Sequence, residues 1–276
     1  MSGPGPADFA DRPLFEPYAD GLRASGANLP SRVALDALFE QPGPRPSLLD
    51  GTPIHLVDDP QPEGYEAGIA VSGGVPTREF DWHDYFNALV WRRFPRAKAA
   101  LNAAHIAALQ QRGPAAPRGP RRDALTQFDE CGVVVLASEP ALLEALRGHC
   151  WREFFFDRRG AWGRVIEVIV FGHATLDQLR APFVGLCGKA LLRAVSPAWF
   201  ARPLAARCEA LDLWMAGVIA DPIGIGGGLR LQPLPLLGVP GVVAESDNPD
   251  YYADTRQFRP LRRVAPPAGS SVFETR

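Results

Sequence analysis

Three stretches of near-continuous apolar residues punctuate the chain: "CGVVVLA" at 131–137, "RVIEVIVFG" at 164–172 and "GKALLRAV" at 188–195. Each is strand-length and bounded by turn or helix signals, which predicts strands buried on both faces. "TPIHLVDD" at 52–59 alternates with period two, as a short strand does. Elsewhere the apolar spacing becomes helical. "RVALDALFEQ" reads as a short helix with Ser31 as its N-cap, and "EPALLEALRG" as another behind Ser138. "RRDALTQFDE", "HATLDQLR" and the longer "PLAARCEALDLWMAGVIA" complete the helical set.

The stretch from Asp81 to His105, "DWHDYFNALVWRRFPRAKAALNAAH", predicts two helices. Asp81 can cap the first, and Trp82, Phe86, Leu89 and Val90 fall on one side of it. Pro95 ends or kinks it, because proline lacks an amide hydrogen and clashes with the preceding turn. The second runs from about Arg96 to Arg112 and is alanine-rich, hence a strong helix former. "GYEAGIAVSGGVPTREF" at 64–80 reads as an irregular, glycine-rich approach to this pair. Residues 1–30, rich in Gly, Pro, Ala and Asp, are expected to be a flexible segment that wraps the surface or frays. "GPAAPRGP" at 113–120 reads as a stiff linker and 265–276 as a polar tail. The mixture predicts an α+β class: a single domain over 31–264, with a small central sheet flanked by helices.

Composition narrows the functional classes. At 276 residues with 46% hydrophobic content the chain can build a full core. Lys plus Arg number 29 against 31 Asp plus Glu, so no global attraction to polyanions exists and no nucleic-acid partner is expected. The N-terminus lacks the basic and apolar regions of a secretory signal, and no apolar run is membrane-length, so the expectation is a cytoplasmic protein with no membrane span. Cys131, Cys150, Cys187 and Cys208 are widely separated and form no C-x-x-C pair. "GIGGGL" at 224–229 has Leu229 where a dinucleotide loop needs its last glycine, and Gly188-Lys189 lacks the earlier glycine of a phosphate loop.

Candidate chemistry concentrates in three places. On the first helix His83 and Asn87 are four apart and Asp84 and Asn87 three apart, so they share a face. Imidazole titrates near neutrality and binds metals, and a neighbouring carboxylate can share a metal ion. On the helix before the central strand Asp123, Thr126 and Glu130 form a stripe with Asp129 beside it. Carboxylates so crowded repel unless a cation or a shared proton offsets them, and such clusters suit hard cations such as Mg²⁺ or Mn²⁺. His173 follows directly on a strand end, where a rigid scaffold can hold a side chain at a cleft.

The blocks "WHDYFNALVWRRFPRAKAALN", "RDALTQFDECGVVV", "FGHA" with "FVGLCGKALL", and "PLPLLGVPG" with "YADTRQFRP" occur in one order over roughly 50–260. In them the chain resembles a bacterial family, domain-of-unknown-function family 3025. The family carries no assigned activity. Some members are labelled transmembrane, a label that this sequence gives no apolar run to support.

Two functions fit. One is a hydrolase using a divalent metal (Mg, Mn or Zn) or a carboxylate/histidine acid-base site on a small-molecule substrate. In it His83, Asp84, Asp129, Glu130 and His173 are catalytic, with His83, Asp129 and Glu130 as metal ligands and Asn87, Asp123, Thr126 and Lys189 contacting substrate. The alternative is a non-catalytic binding or assembly protein whose polar residues close a buried network and whose "PLPLLGVP" segment meets a partner. A cavity open beside His83 and Asp129 favours the first.

Overall fold

The computed structural model describes residues 3–40, 45–58, 64–112 and 119–261. Its elements run α1 (Ala19–Ser25), α2 (Arg32–Glu40), β1 (His55–Val57), α3 (Tyr65–Ser72), β2 (Gly74–Pro76), α4 (Trp82–Arg93) and α5 (Pro95–Arg112). They continue with α6 (Pro120–Cys131), β3 (Gly132–Ala137), α7 (Pro140–Arg147), β4 (Ile166–Val170), α8 (His173–Leu179), β5 (Cys187–Ala194), α9 (Leu204–Ala220) and β6 (Gln232–Pro235). The fold is α+β. No helix among the described residues is long and apolar enough to cross a membrane. The linker at 113–118 and the tail at 265–276 lie outside the described residues.

The apolar runs form three adjacent strands of a four-stranded sheet in the order β4-β3-β5-β6, with β3 and β5 at its centre. Every residue of β3 is buried, as its uninterrupted apolar sequence requires. It pairs antiparallel with β4, Val133 opposite Val170, and parallel with β5, Gly132 opposite Lys189. β1 and β2 make a separate two-stranded parallel ribbon.

Helix boundaries follow local chemistry. Asp81 accepts from the Asp84 amide at 3.0 Å and so caps α4, which stops at Arg93 before Pro95 opens α5. Phe86, Val90 and Trp91 are buried on the inner side of α4. Alanines 97, 100 and 104 let α9 lie close against α5. Asp212, buried on α9, accepts from the backbone amides of Arg96 (3.1 Å) and Ala97 (2.8 Å), capping α5 from outside its own segment.

Four segments depart from the sequence expectation. The N-terminal segment, expected at the surface, enters the core: Phe9, Phe15, Tyr18 and Leu22 are buried, Phe9 packs edge-on to Trp82, and the Tyr18 hydroxyl donates to Val170 O at 2.7 Å. Its apolar residues outweigh its turn-rich composition. The stretch 64–80, read as irregular, holds α3 and β2, joined at Gly73, whose φ of 73° and approach to Pro53 O exclude a side chain. Ser138 is not a cap; its amide donates to Val165 O, and Glu139 precedes α7. "PLPLLGVP", offered as a partner-facing segment, instead lines the core through Leu234, Leu236, Leu237 and Val239. Its Pro233 and Pro235 are tolerated because β6 is an edge strand.

Asp212→Ala leaves two buried amides of α5 without an acceptor, and the expected loss is about 2 kcal/mol, a fall in Tm of about 4–8 °C. Burial pushes the Asp212 carboxyl up to about 6, against the lowering effect of the two amides. A raised folded-state pKa gives stability that is full below the ordinary Asp range and lost as pH rises through about 6. Wild type should therefore lose stability relative to Asp212→Asn as pH rises from about 4 to about 6, measured by urea unfolding; parallel curves would contradict the assignment.

Candidate metal centre

Antiparallel pairing of β3 and β4 puts the start of one beside the end of the other. Asp129 and Glu130, at the last turn of α6, thereby meet His173, the first residue of α8. The amides of Phe171 and Gly172 both donate to Gly132 O, at 2.9 and 2.8 Å, and lock the two chain reversals together. A Cβ at Gly172 would lie 2.4 Å from Glu130 O and 2.5 Å from Gly132 N, so only glycine permits this approach. α4 packs on α8 and brings in His83.

The result is a convergence of three potential ligand atoms. His83 Nε2 and His173 Nε2 are 3.1 Å apart, and Glu130 Oε2 is 3.4 Å from His173 Nε2 and 4.0 Å from His83 Nε2. The circle through three points with those separations has a radius of about 2.1 Å. One position is thus equidistant from all three atoms at a zinc–nitrogen or zinc–oxygen length, about 2.0–2.2 Å. His173 is buried, while His83 and Glu130 are each 38% exposed, so the trio is supported from behind and open in front. Burial, with the Lys98 and His83 charges, pushes His173 down to about 3 against the opposing pull of Asp129, so the ring is neutral. Burial and the Asp129 charge raise Glu130.

A cavity of about 290 Å³ opens onto the trio, lined also by Tyr65, Glu66, Asp84, Asn87, His105, Thr126 and Asp129. Behind its wall α5 presents Lys98, Asn102 and His105, all buried. The Lys98 ammonium donates to Asp129 Oδ1 (2.6 Å) and Asn87 Oδ1 (3.0 Å) and lies 5.3 Å from the Trp91 ring centre. Burial alone would raise Asp129, but the Lys98 charge, followed by His173, outweighs it and holds the carboxylate below its usual range. Asn102 donates to both the backbone oxygen and Oε2 of Glu66, each at 2.8 Å, and His105 Nε2 is 3.8 Å from Glu66 Oε1. Burial and the Asp129 charge raise the proton affinity of Glu66.

His83, Asp84, Asn87, Thr126, Asp129, Glu130 and His173 all line this one cavity. Several of the roles expected for individual residues change. Asp129, expected as a ligand, bonds Lys98 and lies outside the converging group of three, in which His173 stands with His83 and Glu130. Asp84 is drawn into a two-pronged ion pair with Arg78 (2.8 and 3.1 Å) and secures the loop before α4. Asp123 is exposed and outside the cavity wall, and Lys189 stands on β5 opposite Gly132, also outside it. Lys98, Tyr65 and Glu66 were missed. Lys98, Asn102 and His105, at i, i+4 and i+7 on an alanine-rich helix, were a readable polar stripe. Tyr65 and Glu66 carried no comparable signal.

The sequence profile described as "Protein of unknown function (DUF3025)" matches residues 54–262. The chain belongs to the DUF3025 family. The match spans β1 through the last described turns and so contains every residue of the DUF3025 cavity. No curated protein and no solved structure matches the chain.

Lys98→Met should lower stability by about 3–5 kcal/mol, since Asp129 is left buried and uncompensated. Adding Asp129→Asn should restore most of that loss in urea unfolding; simple additivity would argue against a functional ion pair. Gly172→Ala should force Glu130 and His173 apart, with an expected loss of more than tenfold in affinity for added Zn²⁺, followed by competition with a chromogenic chelator.

Proposed function

We propose that this protein is a cytoplasmic, metal-dependent hydrolase of a small-molecule substrate, with His83, Glu130 and His173 as the ligands of one divalent ion. The observation that carries the reading is the single point about 2.1 Å from all three atoms. Hydrogen bonding alone does not account for it, because Glu130 Oε2 at 3.4 and 4.0 Å is beyond a good hydrogen bond to either ring. Two imidazoles and one carboxylate favour zinc over the harder Mg²⁺ and Mn²⁺. Three protein ligands leave coordination positions for water, and an ion held this way lowers the pKa of that water towards 7.

The surrounding residues supply the other parts of hydrolysis. Glu66 lines the same cavity, and burial with the Asp129 charge raises its proton affinity above that of an ordinary carboxylate, which suits a group that takes and returns a proton. Asn102 and His105 position it, and Lys98 fixes Asp129 next to the ligand Glu130. The cavity beside His83 and Asp129 supports this reading over a closed structural network. Four free cysteines fit a reducing compartment.

Elemental analysis of the purified protein, dialysed and then reloaded with Zn²⁺, Mn²⁺ or Mg²⁺, is expected to find about one equivalent of zinc and a raised Tm. His173→Ala and Glu130→Gln should each lower the affinity by at least about tenfold. Wild-type protein that binds none of the three ions would end the proposal. Stoichiometric iron would redirect it to oxygen chemistry, for which the same ligand set serves.

A further inference from the structure

We propose that Tyr65 is the oxyanion donor of this site, and that the substrate is an uncharged or cationic acyl compound, an ester or amide. The inference rests on the metal-hydrolase reading and follows from a proton inventory. Lys98 is an ammonium and can only donate, so the Asn87 atom 3.0 Å from it is the amide oxygen. The other end of Asn87 is then the NH₂ group, which can only donate, and it lies 2.9 Å from the Tyr65 hydroxyl. Tyr65 oxygen is therefore an acceptor in that bond. Its own proton must point elsewhere, and among the described residues no acceptor takes it, while Tyr65 lines the cavity. Burial pushes the phenol well above its ordinary range, so it remains a donor at any working pH.

Position agrees with the role. Asn87 is one helical turn from His83, with about 5–6 Å between their Cβ atoms, and the phenol is bonded to Asn87. The donor thus shares the cavity with the three proposed ligands and is held there by a chain running Asp129, Lys98, Asn87, Tyr65. That chain gives the buried lysine a purpose: it orients an amide that orients a hydroxyl.

Substrate class follows from charge. Among the described residues the cavity wall carries Glu66, Asp84, Asp129 and Glu130 and no lysine or arginine; Lys98 and Arg78, which pair with Asp129 and Asp84, do not line it. Phosphoryl transfer spreads charge over three oxygens and calls for several cations, whereas acyl transfer develops one oxyanion, which one metal and one O–H can stabilise. In the step, the water oxygen bonds to the carbonyl carbon and the C=O π pair moves onto oxygen, where it accepts from Tyr65. Collapse then breaks the bond to the leaving group, which receives the proton that the water released.

The test compares zinc-loaded wild type with Tyr65→Phe, which keeps the ring. Elemental analysis should give equal zinc in both. Acetohydroxamate, whose metal-bound oxygen can accept from Tyr65, should bind the variant at least about tenfold more weakly by calorimetry. Turnover of p-nitrophenyl acetate should fall about 10²-fold in kcat with little change in KM, and inorganic phosphate should bind more weakly than the hydroxamate. Equal hydroxamate binding by the two zinc-loaded proteins, or none by wild type, overturns the role of Tyr65. Tighter binding of phosphate overturns the acyl assignment. Wild type without zinc instead marks failure of the metal reading beneath it, which the elemental analysis identifies separately.

Discussion

Gly132 O accepts the amides of Phe171 and Gly172 at once, and everything distinctive about this protein depends on that closure. It is made possible by the absence of a side chain at Gly172, whose Cα sits against the backbone of residues 130–132. With the end of α6 and the start of α8 joined through β3 and β4, a carboxylate and an imidazole from residues more than forty apart in sequence must share one corner. Packing of α4 against α8 supplies the second imidazole. The ligand trio is thus a property of rigid elements, with side chains projecting from helix ends that the sheet holds in register.

Burying charge behind such a corner is expensive unless each group is matched. α5 performs the matching. Its alanines allow close approach to α9, while Lys98, Asn102 and His105 break the apolar pattern on the opposite face and address Asp129 and Glu66. A helix built only for packing would carry alanine or leucine there. The surroundings shift the cavity's acidic groups in opposite directions, Asp129 below its usual range beside Lys98 and Glu66 above it through burial. Separation of proton affinity between neighbouring carboxyls is what an acid-base site requires.

The central strands, the break at Pro95, the cap at Asp81 and most helices were legible in the sequence, because period, capping and proline effects act over a few residues. So was the gathering of His83, Asn87, Asp129, Glu130 and His173 as residues of interest, since each breaks a local apolar pattern near an element end. Three of the four departures share a cause. The N-terminal segment, the glycine-rich 64–80 stretch and "PLPLLGVP" were judged on local composition, whereas their fate was settled by apolar residues finding partners far along the chain.

Sequence by itself determined the class of fold, the central strands, most helices and the stock of chemical groups, since these depend on neighbours within a turn or two. Only tertiary structure decided which groups meet. It set His173 beside His83 and Glu130 and gave Asp129 to Lys98, left Asp123 and Lys189 outside the cavity, and added Tyr65 and Glu66. The physical reason is that metal geometry and charge pairing act over a few ångströms, and separations of that size between distant segments are fixed by strand register and helix packing.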